Sequence, residues 1–267
     1  MLDNIKIIVA CHKVCEVPAD PVYFPVHVGA EGKAPIGFTP DSRGENISAK
    51  NCMFSEMTGL YWAWKNLQCD YIGLAHYSRY LAVRRKFGTA SLKDALTGDE
   101  IRELLSKYKI IVPLRRKYYI ETVYSHYAHT IDGRHLDVTR ELISRKCPEY
   151  IVSFDDIMKR TWAHMFNMFI MPKNLADEYC SWVFSFLPEL ENIIDTSRMT
   201  QYERRFIGAV SEMMLDVWID FQIRHKNLHQ EDICEVPFIY TRKVNWFRKA
   251  SGFLMAKFFH RKYTKSF

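Results

Sequence analysis

The sequence contains no GxGxxG, no GxxxxGK(S/T), no GxSxG and no HExxH. The phosphate-binding loops of dinucleotide-dependent dehydrogenases and P-loop nucleotidases are therefore missing. So are the nucleophile elbow of serine hydrolases and the zinc helix of metalloproteases. No stretch approaches the roughly 18 apolar residues that a membrane-spanning helix requires. The first residues, MLDNIKIIVACHK, carry no basic region ahead of the apolar run, so no secretory leader is expected there. Glycine (11) and proline (10) are sparse, and no Gly/Ser linker, repeat or low-complexity segment occurs. The seven cysteines (11, 15, 52, 69, 147, 180 and 234) form no CxxC, because Cys11 and Cys15 are separated by three residues rather than two. An odd, scattered set of this kind predicts reduced thiols in a cytoplasmic protein.

What is present is the composition of a folded chain. Hydrophobic residues make up 48% and charged residues 25%, which excludes intrinsic disorder. The 267 residues suffice for one sizeable α/β domain or two small ones. The aromatic fraction of 14% fits a wide, partly exposed binding cleft as well as a large core. The net charge of +6 is uneven: residues 241–267 hold eight Lys/Arg and no Asp/Glu, which leaves −2 on the other 240 residues. In that tail Phe247, Leu254 and Phe258 recur at i, i+7, i+11, on one helical face. A basic amphipathic helix of this kind suits the surface of an anionic membrane. A helix docked on the body with a solvated basic face is the plainer alternative. Nucleic-acid binding is not expected, because the body has neither a basic stripe nor a nucleic-acid motif.

Apolar, β-branched runs alternate with helical segments, which predicts an α/β fold with a mainly parallel sheet and helices on both faces. Strands are expected at Lys6–Ala10, Val22–Val28 (interrupted by Pro25), Tyr71–Ala75, Lys109–Val112, Phe166–Met171 and near Glu235–Tyr240. Helices are expected from Ser48, as N-cap, to about Leu67, and from the Thr97–Glu100 capping box to about Lys107. Others are expected over 121–130, 135–146 and 153–161, from Asn174 to about Phe186, and over Gln201–Arg224. Residues 29–46 form a Gly/Pro/Asp-rich loop long enough to suggest function. In such sheets ligands bind beyond the carboxyl ends of the strands. Those ends carry Cys11-His12-Lys13, His76–Tyr80 and Pro113–Lys117, a cationic edge suited to a phosphorylated ligand.

Three constellations carry possible chemistry. In AHYSRYL, His76, Arg79 and Tyr80 directly follow a buried strand. Arginine binds phosphate bidentately and tyrosine stacks on a base or sugar, although an ordinary surface turn has the same make-up. Within 201–224, Arg205, Gly208 and Glu212 recur at i, i+3, i+7 on one face. There the glycine permits close approach and Glu212 could take a proton from an attacking hydroxyl; an exposed Arg–Glu face is the alternative. His126, His129 and Asp132 are spaced H-x-x-H-x-x-D, with His135 and Asp137 beyond. Zinc ligands can adopt that spacing, but the rest of a metal site is lacking, so acceptor-binding or structural roles are expected.

The run GENISAKNCMFSEMTGLYWAWKNLQCDYIGLAHYSRYL resembles the hallmark of a bacterial glycosyltransferase family from capsule, exopolysaccharide and O-antigen clusters, long described only as a domain of unknown function. The resemblance continues through KYKIIVP, HMFNMFIMPKNLADEYCSWVF and QYERRFIGAVSEMML, so it covers roughly residues 5–240. It implies a single GT-A-like domain over 1–240 followed by the basic amphipathic tail 241–267. It also implies a nucleotide-sugar donor and inverting transfer. Characterised members are β-galactofuranosyltransferases that use UDP-galactofuranose to extend a lipid-linked glycan.

Carried over by position, the resemblance implies donor contacts from His12 and Lys13, from Asn46, Asn51 and Glu56, and from His76, Tyr77, Arg79 and Tyr80. Ser78 stands where the family's His-Tyr-Arg-Arg-Tyr segment has its first arginine, so one expected phosphate contact is missing or supplied from elsewhere. His129, Asn167 and Arg205 are the expected acceptor side, and Glu212 the expected base. The Asp-x-Asp metal motif usual in GT-A enzymes occurs nowhere. Arg79, Lys13 and Arg115 or Arg116 are expected to neutralise the leaving UDP without a metal or any permanently bound cofactor. The expected partners are the donor, a lipid-linked acceptor and the anionic inner face of the cytoplasmic membrane. Another UDP-hexose, such as UDP-galactopyranose or UDP-glucose, and a non-catalytic membrane-associated subunit of polysaccharide assembly are the competing readings.

Overall fold

The structure is a computed structural model, which describes residues 4–86 and 88–242. The expected helix at 241–267 lies outside the described residues, apart from Thr241 and Arg242.

In chain order the elements begin with β1 (Ile5–Cys11), β2 (Tyr23–His27), β3 (Thr39–Pro40), α1 (Asn51–Phe54), α2 (Met57–Asn66), β4 (Tyr71–His76) and β5 (Arg79–Leu81). They continue with α3 (Gly98–Leu105), β6 (Ile110–Pro113), β7 (Arg116–Lys117), α4 (Val123–Thr130), α5 (Arg134–Lys146), α6 (Ile151–Lys159) and β8 (Trp162–Ala163). The last are β9 (Phe169–Pro172), α7 (Lys173–Ile193), α8 (Phe206–Arg224), β10 (Ile233–Val236) and β11 (Phe238–Tyr240).

The main path of the nine-stranded sheet runs β10-β6-β9-β4-β1-β2-β3, with β5 paired to β4 and to β11. Pairs β1–β2, β1–β4, β2–β3 and β6–β10 are parallel. On that main path β9 is the exception, antiparallel to both β4 and β6, and off it β5 is antiparallel to β4 and β11. The first residue of β9, Phe169, pairs with Leu74 near the carboxyl end of β4. The segment ahead of β9 therefore emerges at the edge where the parallel strands end. Strands β7 and β8 form a separate small ribbon. The architecture is a mixed α/β domain built on a mainly parallel sheet.

Period-two alternation distributes β1 between two cores. Ile8 and Ala10 join a large cluster under α2 and α4–α8, whereas Ile5, Ile7, Val9 and Cys11 join a smaller one that includes Ile101 of α3. The expected capping box is present, with Thr97 and Glu100 satisfying each other's backbone at the start of α3.

Three expectations need correction. The helix predicted from Ser48 to Leu67 breaks at Ser55 (φ 51°, ψ −132°), where Asn51 Nδ2 donates to the Ser55 carbonyl at 2.7 Å. Ser48 is no N-cap: it is buried and its hydroxyl bonds Asp41, which also receives the N–H groups of Gly29 and Ala30. Phe166 and Asn167 precede β9 rather than belonging to it, with φ of 78° and 55°. Helix α7 runs to Ile193 through Pro188, because burial of Phe186, Leu187 and Leu190 outweighs the proline. No helix of the described residues is long and apolar enough to cross a membrane.

Candidate active site

A cavity of about 560 Å³ opens beyond the carboxyl ends of β1 and β4, within the size range of small-molecule sites. Ala10 and His12 reach it from β1 and the loop beyond, His76 and Tyr77 from β4 and its turn, and Arg79 from β5. The α1–α2 break contributes Asn51, Ser55 and Glu56, and α8 with its preceding turn contributes Arg205, Gly208 and Glu212. A Cβ on Gly208 would lie 2.9 Å from Ser55, so only glycine lets α8 approach the break this closely. Arg205 Nε donates to Ser55 Oγ at 3.1 Å and fixes the same junction.

The rim is cationic. Lys33, Arg79, Arg116 and Arg205 line the cavity, while Arg242 stacks on Tyr77 with its guanidinium 4.5 Å from the ring centre. His12 has its pKa lowered by burial and then by Lys13, Arg205, Arg242 and Lys33. His76 is held well below its usual value by burial, then by Arg79 and His12, and its Nδ1 lies 2.8 Å from Ser78 Oγ. Both imidazoles report one positive field, the field an anionic ligand would neutralise. Arg79 lies with its guanidinium 4.7 Å from the Phe166 ring centre, and its buried Nε has no hydrogen-bond partner among the described residues.

Two carboxylates face these cations. Glu56 accepts from Asn167 Nδ2 at 2.8 Å, and Glu212 accepts from the Phe166 N–H at 3.2 Å. Burial and the neighbouring charge of Glu56 raise the Glu212 pKa to about 7, against the opposing pull of Arg79, that N–H and Arg116. A carboxyl group poised near neutrality in a cleft is suited to proton transfer. Of the five described non-glycine residues with positive φ, Ser55, Phe166 and Asn167 border this site. Strained backbone of that kind concentrates where function requires a particular geometry.

Of the residues picked out in the sequence, His12, Asn51, Glu56, His76, Tyr77, Arg79, Arg205 and Glu212 come together around the cavity. Five others do not line it. Tyr80 alternates with Arg79 along β5, so it points into the smaller core, fully buried, with its hydroxyl on the Tyr77 carbonyl. Asn46 bonds the Ser42 and Gly44 carbonyls within its own loop. Lys13 is exposed, 5.8 Å from the Tyr77 ring centre. Asn167 is buried and spends its amide on Glu56 and the Gly208 carbonyl. His129 sits beside Glu121, Nδ1 to Oε1 2.8 Å.

The H-x-x-H-x-x-D run is distributed over several partners. Glu121 meets both His126 and His129, Asp132 pairs with Arg134, and His135 meets the Tyr127 hydroxyl. No three His, Cys, Asp or Glu side chains among the described residues converge as a metal site. Between the two arginines considered for the leaving group, Arg116 lines the cavity, whereas Arg115 is engaged with Glu235 and stacked on Trp162. Sequence reasoning missed Lys33, whose only signal was the length of the 29–46 loop. His126, singled out in the H-x-x-H-x-x-D run, does reach the cavity wall, and burial lowers its pKa to about 4.

A second cavity of about 810 Å³ lies on the other side of Tyr77, between residues 14–20 and 90–97. Cys15 and Arg242 are among its walls.

No curated protein matches the sequence. Among solved structures, the apo form of the bifunctional glycosyltransferase WbbM superposes with a TM-score of 0.80 at 23% identity. The match covers 91% of this chain and 46% of WbbM, so this chain spans about half of that protein. The likeness establishes the fold. Residues 6–225 match the model of the family described as Domain of unknown function (DUF4422), and the chain belongs to that family.

Proposed function

We propose that the protein is an inverting glycosyltransferase acting on a nucleotide-sugar donor, with UDP-galactofuranose as the first donor to test. The observation that carries this reading is the meeting, in one cavity, of a cationic rim and a carboxyl group with its pKa raised to about 7. Arg79, Arg116, Arg205 and Lys33 would neutralise the diphosphate as it leaves. Glu212 would accept the proton of an acceptor hydroxyl as that oxygen attacks the anomeric carbon, with displacement inverting an α-linked donor to a β-linked product. The fold likeness to a bifunctional glycosyltransferase supports group transfer rather than hydrolysis or redox chemistry.

The donor set does not fit a resident divalent cation. Asp-x-Asp is missing, and Glu56 and Glu212 are each engaged by a nitrogen donor amid arginines. Metal-independent transfer is therefore part of the proposal. So are a lipid-linked glycan as acceptor and attachment of residues 241–267 to an anionic inner-membrane surface. The tail reading is tested by truncation: removal should spare transfer to a soluble acceptor but release the protein from vesicles.

Thermal-shift titration with UDP, GDP, CMP and ADP, with and without EDTA, tests the central reading. Ligand at about 100 times its dissociation constant stabilises by roughly 2.7 kcal/mol. A UDP-selective shift that survives EDTA is expected, followed by turnover in a donor screen that includes UDP-galactopyranose and UDP-glucose. Loss of the shift in EDTA overturns metal independence. No shift with any nucleotide overturns the donor reading and favours a non-catalytic subunit.

A further inference from the structure

Cys11 and Cys15 form the only thiol–thiol contact among the described residues, Sγ to Sγ 3.4 Å. Closing a bond of about 2.05 Å requires the sulfurs to approach by little more than an ångström. The two cysteines are held very differently. Cys11 is fully buried at the end of β1, paired with His27, and its carbonyl accepts the Val28 N–H at 2.9 Å. Cys15 lies on a segment, 12–19, that makes no backbone–backbone hydrogen bond to described residues, and it borders the second cavity. A small oxidant can therefore reach Cys15 while Cys11 waits beneath it, and the loop rather than the strand supplies the movement.

We propose that Cys11 and Cys15 are a reversible disulfide site, whose closure cinches the loop that carries His12 and Lys13 at the rim of the candidate active site. The oxidant is a low-molecular-weight disulfide of the glutathione class. The Cys15 thiolate attacks one of its sulfurs, releasing one thiol and leaving a mixed disulfide. Cys11 then gives up its proton and attacks Cys15 Sγ, releasing the second thiol. Two protein thiols are oxidised and one small disulfide is reduced to two thiols. Burial pushes the Cys11 thiol up, which suits the second, resolving role rather than the first attack. The ring closes around His12, edge-on to Tyr77 at 5.0 Å, and Lys13, so it draws both off the ring they now contact.

The test is to incubate the full chain with oxidised glutathione, then measure intact mass, thiol content and disulfide-linked peptides. A mass lower by two hydrogens, thiols falling from seven to five and a linked 11–15 peptide are expected, all reversed by dithiothreitol. The Cys11→Ser variant should instead accumulate a glutathione adduct on Cys15, and Cys15→Ser should form neither. No bridge, or a bridge between other cysteines, overturns the proposal. The functional consequence rests on the nucleotide-sugar reading: the oxidised form should bind UDP roughly tenfold more weakly, and bound UDP should disfavour the disulfide by the same factor. Equal UDP affinity in both forms overturns that consequence. A reduced protein indifferent to UDP refutes the donor reading instead, and the mass measurement still decides the disulfide.

Discussion

Along α8 three carboxylates recur every fourth residue, Glu212, Asp216 and Asp220, and the two halves of the helix treat them oppositely. Glu212 faces the cavity with a backbone N–H as its hydrogen-bond donor and holds its proton up to about pH 7. Asp216, one turn on, is locked to His164: it accepts the backbone N–H at 2.8 Å and lies 2.5 Å from Nδ1. His164 Nε2 also lies 3.5 Å from Glu235, and despite burial these two carboxylates raise the imidazole to about 9. Asp220 is shared by Arg160 and Arg224, and Arg224 reaches Asp156 as well. Formal charge and spacing are the same in the two halves. What differs is direct ion pairing: Glu212 feels Arg79 and Arg116 but forms no salt bridge among the described residues, and such a buried, unbridged carboxylate is the one available for chemistry.

Removing the unpaired member should have the largest effect. Glu212→Gln is expected to lower turnover by about 10² to 10⁴-fold while leaving UDP-induced stabilisation in place. Steady-state kinetics beside thermal shift would show it, and surviving turnover would break the contrast between the halves. In the paired half the loss should be in stability. Asp216→Ala strands a buried imidazolium and should cost about 3–5 kcal/mol in urea unfolding. Asp220→Ala, whose arginines are partly solvated, should cost only about 1 kcal/mol.

The halves should also answer pH differently. The His164 pKa is raised in the folded state, so its contribution is full below about 6.5 and is lost as pH rises through about 9. Glu212 likewise binds its proton more tightly when folded, so wild-type stability falls between the ordinary carboxylate range and about pH 7. Glu212→Gln should abolish that fall and keep the alkaline one. Activity should run the other way, rising through about pH 7 as Glu212 becomes able to accept a proton. Arg205→Ala should have the smallest effect, because the side chain is exposed: a KM for donor raised roughly threefold with kcat little changed.

Much of this frame is legible in local patterns. KIIVA, YIGLA and KIIV mark three strands because fully buried strands are continuous apolar runs, and Thr97 with Glu100 marks a helix start because each satisfies the other's backbone. Gly208 and Glu212 do share the cavity side of α8, but the helix expected over 201–224 begins only at Phe206, and Arg205 reaches the cavity from the turn before it. The family resemblance led to Glu56 and Asn51, whereas the strand-end reading of AHYSRYL found His76 and Arg79 but carried Tyr80 along with them. Adjacent strand residues point to opposite faces, and only one can reach a given cavity.

By itself the sequence determined the α/β class, the order of the elements, the cationic strand ends and the absence of an Asp-x-Asp pair. Each of these depends on residue type or on spacing over a few positions. Tertiary structure alone decided the antiparallel insertion of β9, the break at Ser55 and the left-handed turn at Phe166 and Asn167. It alone also separated Glu212 from Asp216, because burial and counter-charge are sums over residues far apart in the chain. Asn167 meets Glu56 across 111 positions, and Asp216 meets His164 across 52.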